Sequence, residues 1–108
     1  MPKRHQTILL PVSSAEALAA CRRTLRSLGW EATEPAENRI VGDEEPWRLD
    51  CHTSPSRIEI GLSAEAADRT AVEVTVAAPG FGPRVSRRLA RQIEAFEEKV
   101  AAADDGQL

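Results

Sequence analysis

The residues best placed to do chemistry are four arginines, Arg84, Arg87, Arg88 and Arg91, gathered at the start of a helix-forming segment. Guanidinium groups in a row bind anions, carboxylates above all, through forked hydrogen bonds. Here they also break local rules. A helix N-terminus is the positive end of the helix dipole, so each exposed arginine there is unfavourable by roughly 0.3–1 kcal/mol. Like charges four residues apart, Arg84 with Arg88 and Arg87 with Arg91, add a smaller penalty. Glu94, Glu97 and Glu98 follow further down and reverse the favoured order. Such conflicts mark places where a partner relieves them. The acidic middle of the chain is the first source of that partner, and an acidic protein or anionic ligand the second.

Other constellations have plainer readings. Cys51-His52 invites a nucleophile–base pairing, but neighbours on a strand face opposite sides. Cys51 then belongs with inward Trp47 and Leu49, and His52 faces out. A metal site needs further ligands at suitable spacing, and the other histidine, His5, lies near the N-terminus. A Cys21–Cys51 bridge is conceivable, yet two thiols suit a reducing compartment better. Asp43-Glu44-Glu45, followed by Pro46, reads as a solvated turn. Glu59 and Glu73 read as sheet-surface carboxylates neutralised by Arg57 and Arg48. Gly80-Phe81-Gly82 precedes a helix as a phosphate loop does, but Pro79 and Pro83 remove N–H groups that a phosphate needs. No catalytic set, metal or cofactor is expected, and an enzyme is the third choice of class.

The chain has 108 residues, 42% of them hydrophobic, and a net charge of −3, which is the length of one domain with its own core. Two cysteines exclude a disulfide framework. No apolar run reaches the roughly 18 residues of a membrane span. The Ile8–Val12 stretch behind the basic start is too short for a signal peptide, so the expected location is cytoplasmic. The net charge hides an uneven distribution: +4 over residues 1–30, −7 over 31–80 and zero over 81–108. With that acidity and no tyrosine for stacking, nucleic acid is not the expected partner.

The elements that position these residues follow from periodicity. Ile8, Leu10 and Val12 alternate in a first strand over Thr7–Val12. Ser13-Ser14-Ala15-Glu16 has the spacing of a capping box. Leu18, Cys21, Leu25 and Leu28 then form a helical stripe that Gly29 ends, with Trp30 packing back. Pro35 to Asn38 separates two short strands of a hairpin, Trp30–Glu34 and Arg39–Gly42. Trp47–Cys51, Arg57–Leu62 and Thr70–Val76 alternate again, as antiparallel strands with one wet face do. Pro83 opens a closing helix whose stripe is Val85, Leu89, Ile93, Phe96 and Val100. The expected fold is α+β: a two-layer sandwich of five or six antiparallel strands with two helices on one face. One domain spans 1–108, with an ordered core over about 6–101 and a frayed tail at 102–108.

This order of elements, the Leu28-Gly29-Trp30 helix end, the Arg57–Leu62 and Thr70–Val76 strands and the basic start of the last helix resemble small bacterial domains of the TATA-binding-protein-like β-α-β4-α class. Helix-grip domains of the lipid-transfer and polyketide-cyclase superfamily are a more distant likeness. The first resemblance implies a fold and little chemistry. The second implies a pocket between sheet and closing helix, which Trp30, Trp47, Phe81 and Phe96 would line if they do not simply fill the core. The leading expectation is a non-enzymatic binding module that uses the Arg84–Arg91 face. The alternative is a carrier of a small apolar ligand in that pocket.

Overall fold

The structure is a computed structural model that describes residues 3–44, 55–80 and 82–104. Its elements are β1 (Lys3–Leu10), α1 (Ser14–Ser27), β2 (Trp30–Ala36), β3 (Arg39–Glu44), β4 (Arg57–Ala66), β5 (Arg69–Ala77) and α2 (Pro83–Asp104). The five strands form one antiparallel sheet in the order β1-β5-β4-β3-β2. The expected strand at Trp47–His52 lies outside the described residues, as do Cys51 and His52.

Alternation decides the faces. The register sets Ile8 beside Val72, Val72 beside Leu62, Val74 beside Ile60 and Ile60 beside Ile40. These side chains form the inner face, and together with Leu25, Leu89, Ile93, Phe96 and Val100 from the helices they make one buried core. Gly42 lies in the inner row between Ile58 and Ala32. A Cβ built there would stand 2.8 Å from Ile58 Cγ2, 3.3 Å from Trp30 Cβ and 3.4 Å from Leu25 Cδ1. The missing side chain is what lets α1 lie close to the sheet.

Local signals set the boundaries. Ser13 caps α1, its hydroxyl accepting from the Glu16 N–H at 3.3 Å. Gly29 takes φ +89°, the left-handed conformation that ends α1 and turns the chain into β2. The buried stripe of α1 is Ala17, Ala20, Cys21, Thr24 and Leu25, with Leu18 and Leu28 at its margin. The stripe is rotated from the expected one because small residues face the sheet and let the helix approach. β1 begins at Lys3 rather than Thr7, since a ladder to β5 holds a polar strand as well as an apolar one, and it stops before Pro11. The β2–β3 hairpin turns later than expected, at Glu37-Asn38, with Pro35 absorbed in a bulge between Thr33 and Ala36. Asn38 accepts φ +58° there.

Candidate binding site at the sheet–helix seam

Only one of the four arginines turns inward. Arg88 reaches from α2 to the Glu44 carboxylate on β3, and the two side chains are 24% and 19% exposed. Arg84, Arg87 and Arg91 are exposed, and none forms an ion pair among the described residues. Asp43 and Glu44 are not a solvated turn, as the sequence suggested: both extend β3, and Glu44 falls on the inner side. The ladder sets Glu44 beside Trp30, and the Glu44 N–H donates to the Ser56 carbonyl at 3.2 Å. The same carboxylate oxygen that meets Arg88 accepts from the Ser56 N–H at 2.7 Å. A strand end supplies the N–H, a helix the guanidinium, and one carboxylate joins them.

Two polar atoms at this seam have no partner. Ser56 is 1% exposed, and its hydroxyl makes no hydrogen bond; nor does the buried Oε1 of Gln92. Gln92 stands one turn beyond Arg88, so the two side chains leave α2 on the same flank. Further along that flank Lys99 donates to the Ser27 hydroxyl at the end of α1, at 3.5 Å. The seam therefore presents a carboxylate–guanidinium pair, an idle hydroxyl that can donate or accept and an idle carbonyl that can only accept. A ligand group that both donates and accepts, a hydroxyl or a carboxamide, fits that set. Sequence reasoning missed it because Ser56 sat in a turn-forming run and Gln92 in a polar helix stretch.

The aromatic candidates divide. Phe96 is fully enclosed and Trp30 is 7% exposed, so both fill the core, with Trp30 next to the seam. Trp47 and Phe81 lie outside the described residues. The described hollow is on the other side of the sheet. It is a groove of about 460 Å³ floored by Gly61 and walled by His5, Asn38, Arg39, Glu73 and Thr75. His5 Nδ1 meets Thr75 Oγ1 at 2.9 Å, which occupies the ring beside the strand. On this outer face Glu59 pairs with Arg39 at 3.6 Å, and Arg57 with Asp43 at 2.9 Å. Arg39 is thus the direct partner of Glu59, with Arg57 acting on it through the field and bonding Asp43; Arg48 lies outside the described residues, and Glu73 has no ion pair among them. On α1, Arg22 pairs with Glu34 of β2 at 2.6 Å, while Arg23 and Arg26 are exposed.

Cys21 is buried, which favours its neutral thiol over the thiolate. Burial pushes its thiol from the ordinary 9.0 up to about 12. Folding therefore holds a proton that the unfolded chain loses above pH 9. Between pH 9 and about 12 stability should fall, with a slope approaching 1.4 kcal/mol per pH unit from this group. Urea unfolding of the wild type and of Cys21→Ala across that range checks it: the slope attributable to Cys21 should vanish in the variant. The native thiol should also resist iodoacetamide at pH 8.

Among the described residues no group of three histidine, cysteine or carboxylate side chains is placed to hold a metal ion, and no helix is long and apolar enough to cross a membrane. No family model matches the sequence, and no curated protein does. Solved structures do match in shape. A START superfamily protein from Mycobacterium smegmatis gives a TM-score of 0.74 at 11% identity, over 98% of this chain and 99% of that one. A protein from Nitrosospira multiformis gives 0.67 at 12%, over 94% of each chain. The di-domain ARO/CYC BexL from the BE-7585A biosynthetic pathway gives 0.53 at 12%, over 95% of this chain and 45% of that one. The architecture is thus similar to START-type, helix-grip domains and not specifically to the TATA-binding-protein-like class; at 11–12% identity the likeness is one of fold.

Proposed function

We propose that this is a small-molecule-binding domain of the helix-grip kind, without chemistry of its own, whose ligand places a polar group at the seam between β3, β4 and α2. The observation that carries the reading is the pair of unpartnered buried atoms, Ser56 Oγ and Gln92 Oε1, beside the Arg88–Glu44 bridge. A buried polar atom left without a partner destabilises by about 1–3 kcal/mol. A hydroxyl or carboxamide on a ligand that reaches the seam supplies the partner such an atom lacks. The START-type neighbours support a binding role. A reducing, cytoplasmic setting suits the free Cys21. The exposed Arg84, Arg87 and Arg91, without an ion pair among the described residues, form a second contact surface on α2.

Ser56→Ala and Gln92→Leu test the first reading. Each removes an idle polar atom, so each should leave the free protein as stable as the wild type or up to about 1 kcal/mol more stable in urea. Native mass spectrometry of the wild type purified from its expression host should find a co-purified small molecule. The dye 8-anilinonaphthalene-1-sulfonate should bind at one saturable site, weakened about tenfold, or 1.4 kcal/mol, by either substitution. A protein with neither a bound mass nor saturable dye binding overturns the proposal.

A further inference from the structure

We propose that the solvent face of α2 is a self-association surface, on which a second copy of this chain docks with its own α2 antiparallel. Arg84, Arg87, Arg91, Glu94 and Glu98 follow one another at steps of three, four, three and four, so they form a single stripe along the helix. All five are exposed, on the side opposite the core stripe of Leu89, Ile93, Phe96 and Val100. None of the five has an ion pair among the described residues. Arg88, which does, lies off this stripe.

The stripe changes sign once, between Arg91 and Glu94. Within one molecule that order is the wrong way round, since cations sit at the positive end of the helix dipole and anions toward the negative end. No acidic residue in the first turn and no basic residue in the last turn offsets it. An antiparallel copy reverses every unfavourable term. With a two-fold axis between Arg91 and Glu94, Arg91 faces the second copy's Glu94 and Arg87 faces its Glu98. Symmetry repeats both pairs, and the two helix dipoles oppose. Arg84 falls opposite the second copy's Ala101, and Ala90 opposite its Ala95, small residues that let the helices approach. A purely acidic partner fits less well, because Glu94 and Glu98 on the same stripe would repel it.

Exposed charge pairs are individually weak and screened by salt, so the dimer is weak and ionic. Sedimentation equilibrium should show it at about 20 mM salt and lose it at about 500 mM. The double variants R87E/R91E and E94R/E98R should each be monomeric at low salt while keeping the wild-type circular dichroism. Both substitutions agree with the helix dipole, so both should fold. Mixed one to one, they should form a heterodimer, since one stripe is then acidic and the other basic. A wild type that stays monomeric at low salt overturns the proposal. So does a dimer that either charge reversal leaves unchanged, or a failure of the two variants to pair. An acidic partner protein instead of a second copy would be lost by R87E/R91E and held more tightly by E94R/E98R, which also overturns it. None of these outcomes depends on the seam at Ser56 and Gln92.

Discussion

Phe96→Ala is expected to destabilise the domain by about 3–5 kcal/mol, the usual range for removing a large enclosed aromatic ring. Among the described residues Phe96 is the largest side chain with no exposure at all, and it sits within the α2 stripe that closes the core. Removing the ring takes away its contacts with the core and leaves a cavity that the sheet cannot collapse to fill. For a domain of this size each 1 kcal/mol lowers the melting temperature by roughly 4–8 °C, so a fall of about 12–40 °C follows. Since small domains hold about 5–15 kcal/mol in all, the variant stands near the limit of folding. Phe96→Leu, which refills most of the volume, should cost less than about 1.5 kcal/mol. Calorimetry of the two variants side by side separates lost volume from lost aromaticity. A Phe96→Ala effect below 1 kcal/mol would show that the interior can close over the gap.

The second large effect is at Gly42. Gly42→Val should destabilise by about 3 kcal/mol, the upper end of the range for overpacking a tight core. The new Cβ alone stands 2.8 Å from Ile58 Cγ2, a methyl on a stiff β-branched side chain that cannot swing aside. The next neighbours are Trp30 Cβ and Leu25 Cδ1, so relief requires α1 to lift from the sheet or β2 to shift. Gly61→Val is the matched control. It also lies in a strand interior, but a Cβ there meets nothing within 4 Å. That substitution should be neutral or slightly stabilising, because valine suits a strand better than glycine. Urea midpoints of the two variants should differ by the whole of the packing term.

The sequence made the framework legible wherever the signal was local. The Ser13 cap and the Gly29 stop of α1, the alternation of Arg57–Leu62 and Thr70–Val76 and the Leu89–Val100 stripe all state their structure within a few residues. The five-stranded α+β sheet with two helices follows from those signals. What depends on contacts across the chain was not legible. The four arginines look alike in sequence, yet Arg88 alone meets Glu44, because the crossing of α2 over the sheet brings that flank to the end of β3. For the same reason Glu44 could not be told from a solvated turn residue. Ser56 and Gln92 carry no motif at all; their interest comes from burial without a partner, which only the packing of helix on sheet creates. The arginine stripe was legible as an anomaly, and its continuation into Glu94 and Glu98 takes on meaning once all five side chains are seen on one exposed face.

The pairing of β1 with β5 governs the order in which the molecule can be assembled. Residues 3–10 find their neighbours only at residues 70–77. On a ribosome adding about 5–20 residues per second, β1 waits about 3–15 s for its partner strand to be made. During that wait β2, β3 and β4 can pair as a meander, because each lies beside the next in sequence. α1, made before them, already covers that end of the apolar inner face through Leu25 and Cys21, whereas the β1–β5 end stays open until α2 emerges and turns back across it. β1 and α2, far apart in the chain, therefore complete the fold together, and a chain that lacks α2 leaves the β1–β5 end of its hydrophobic face bare.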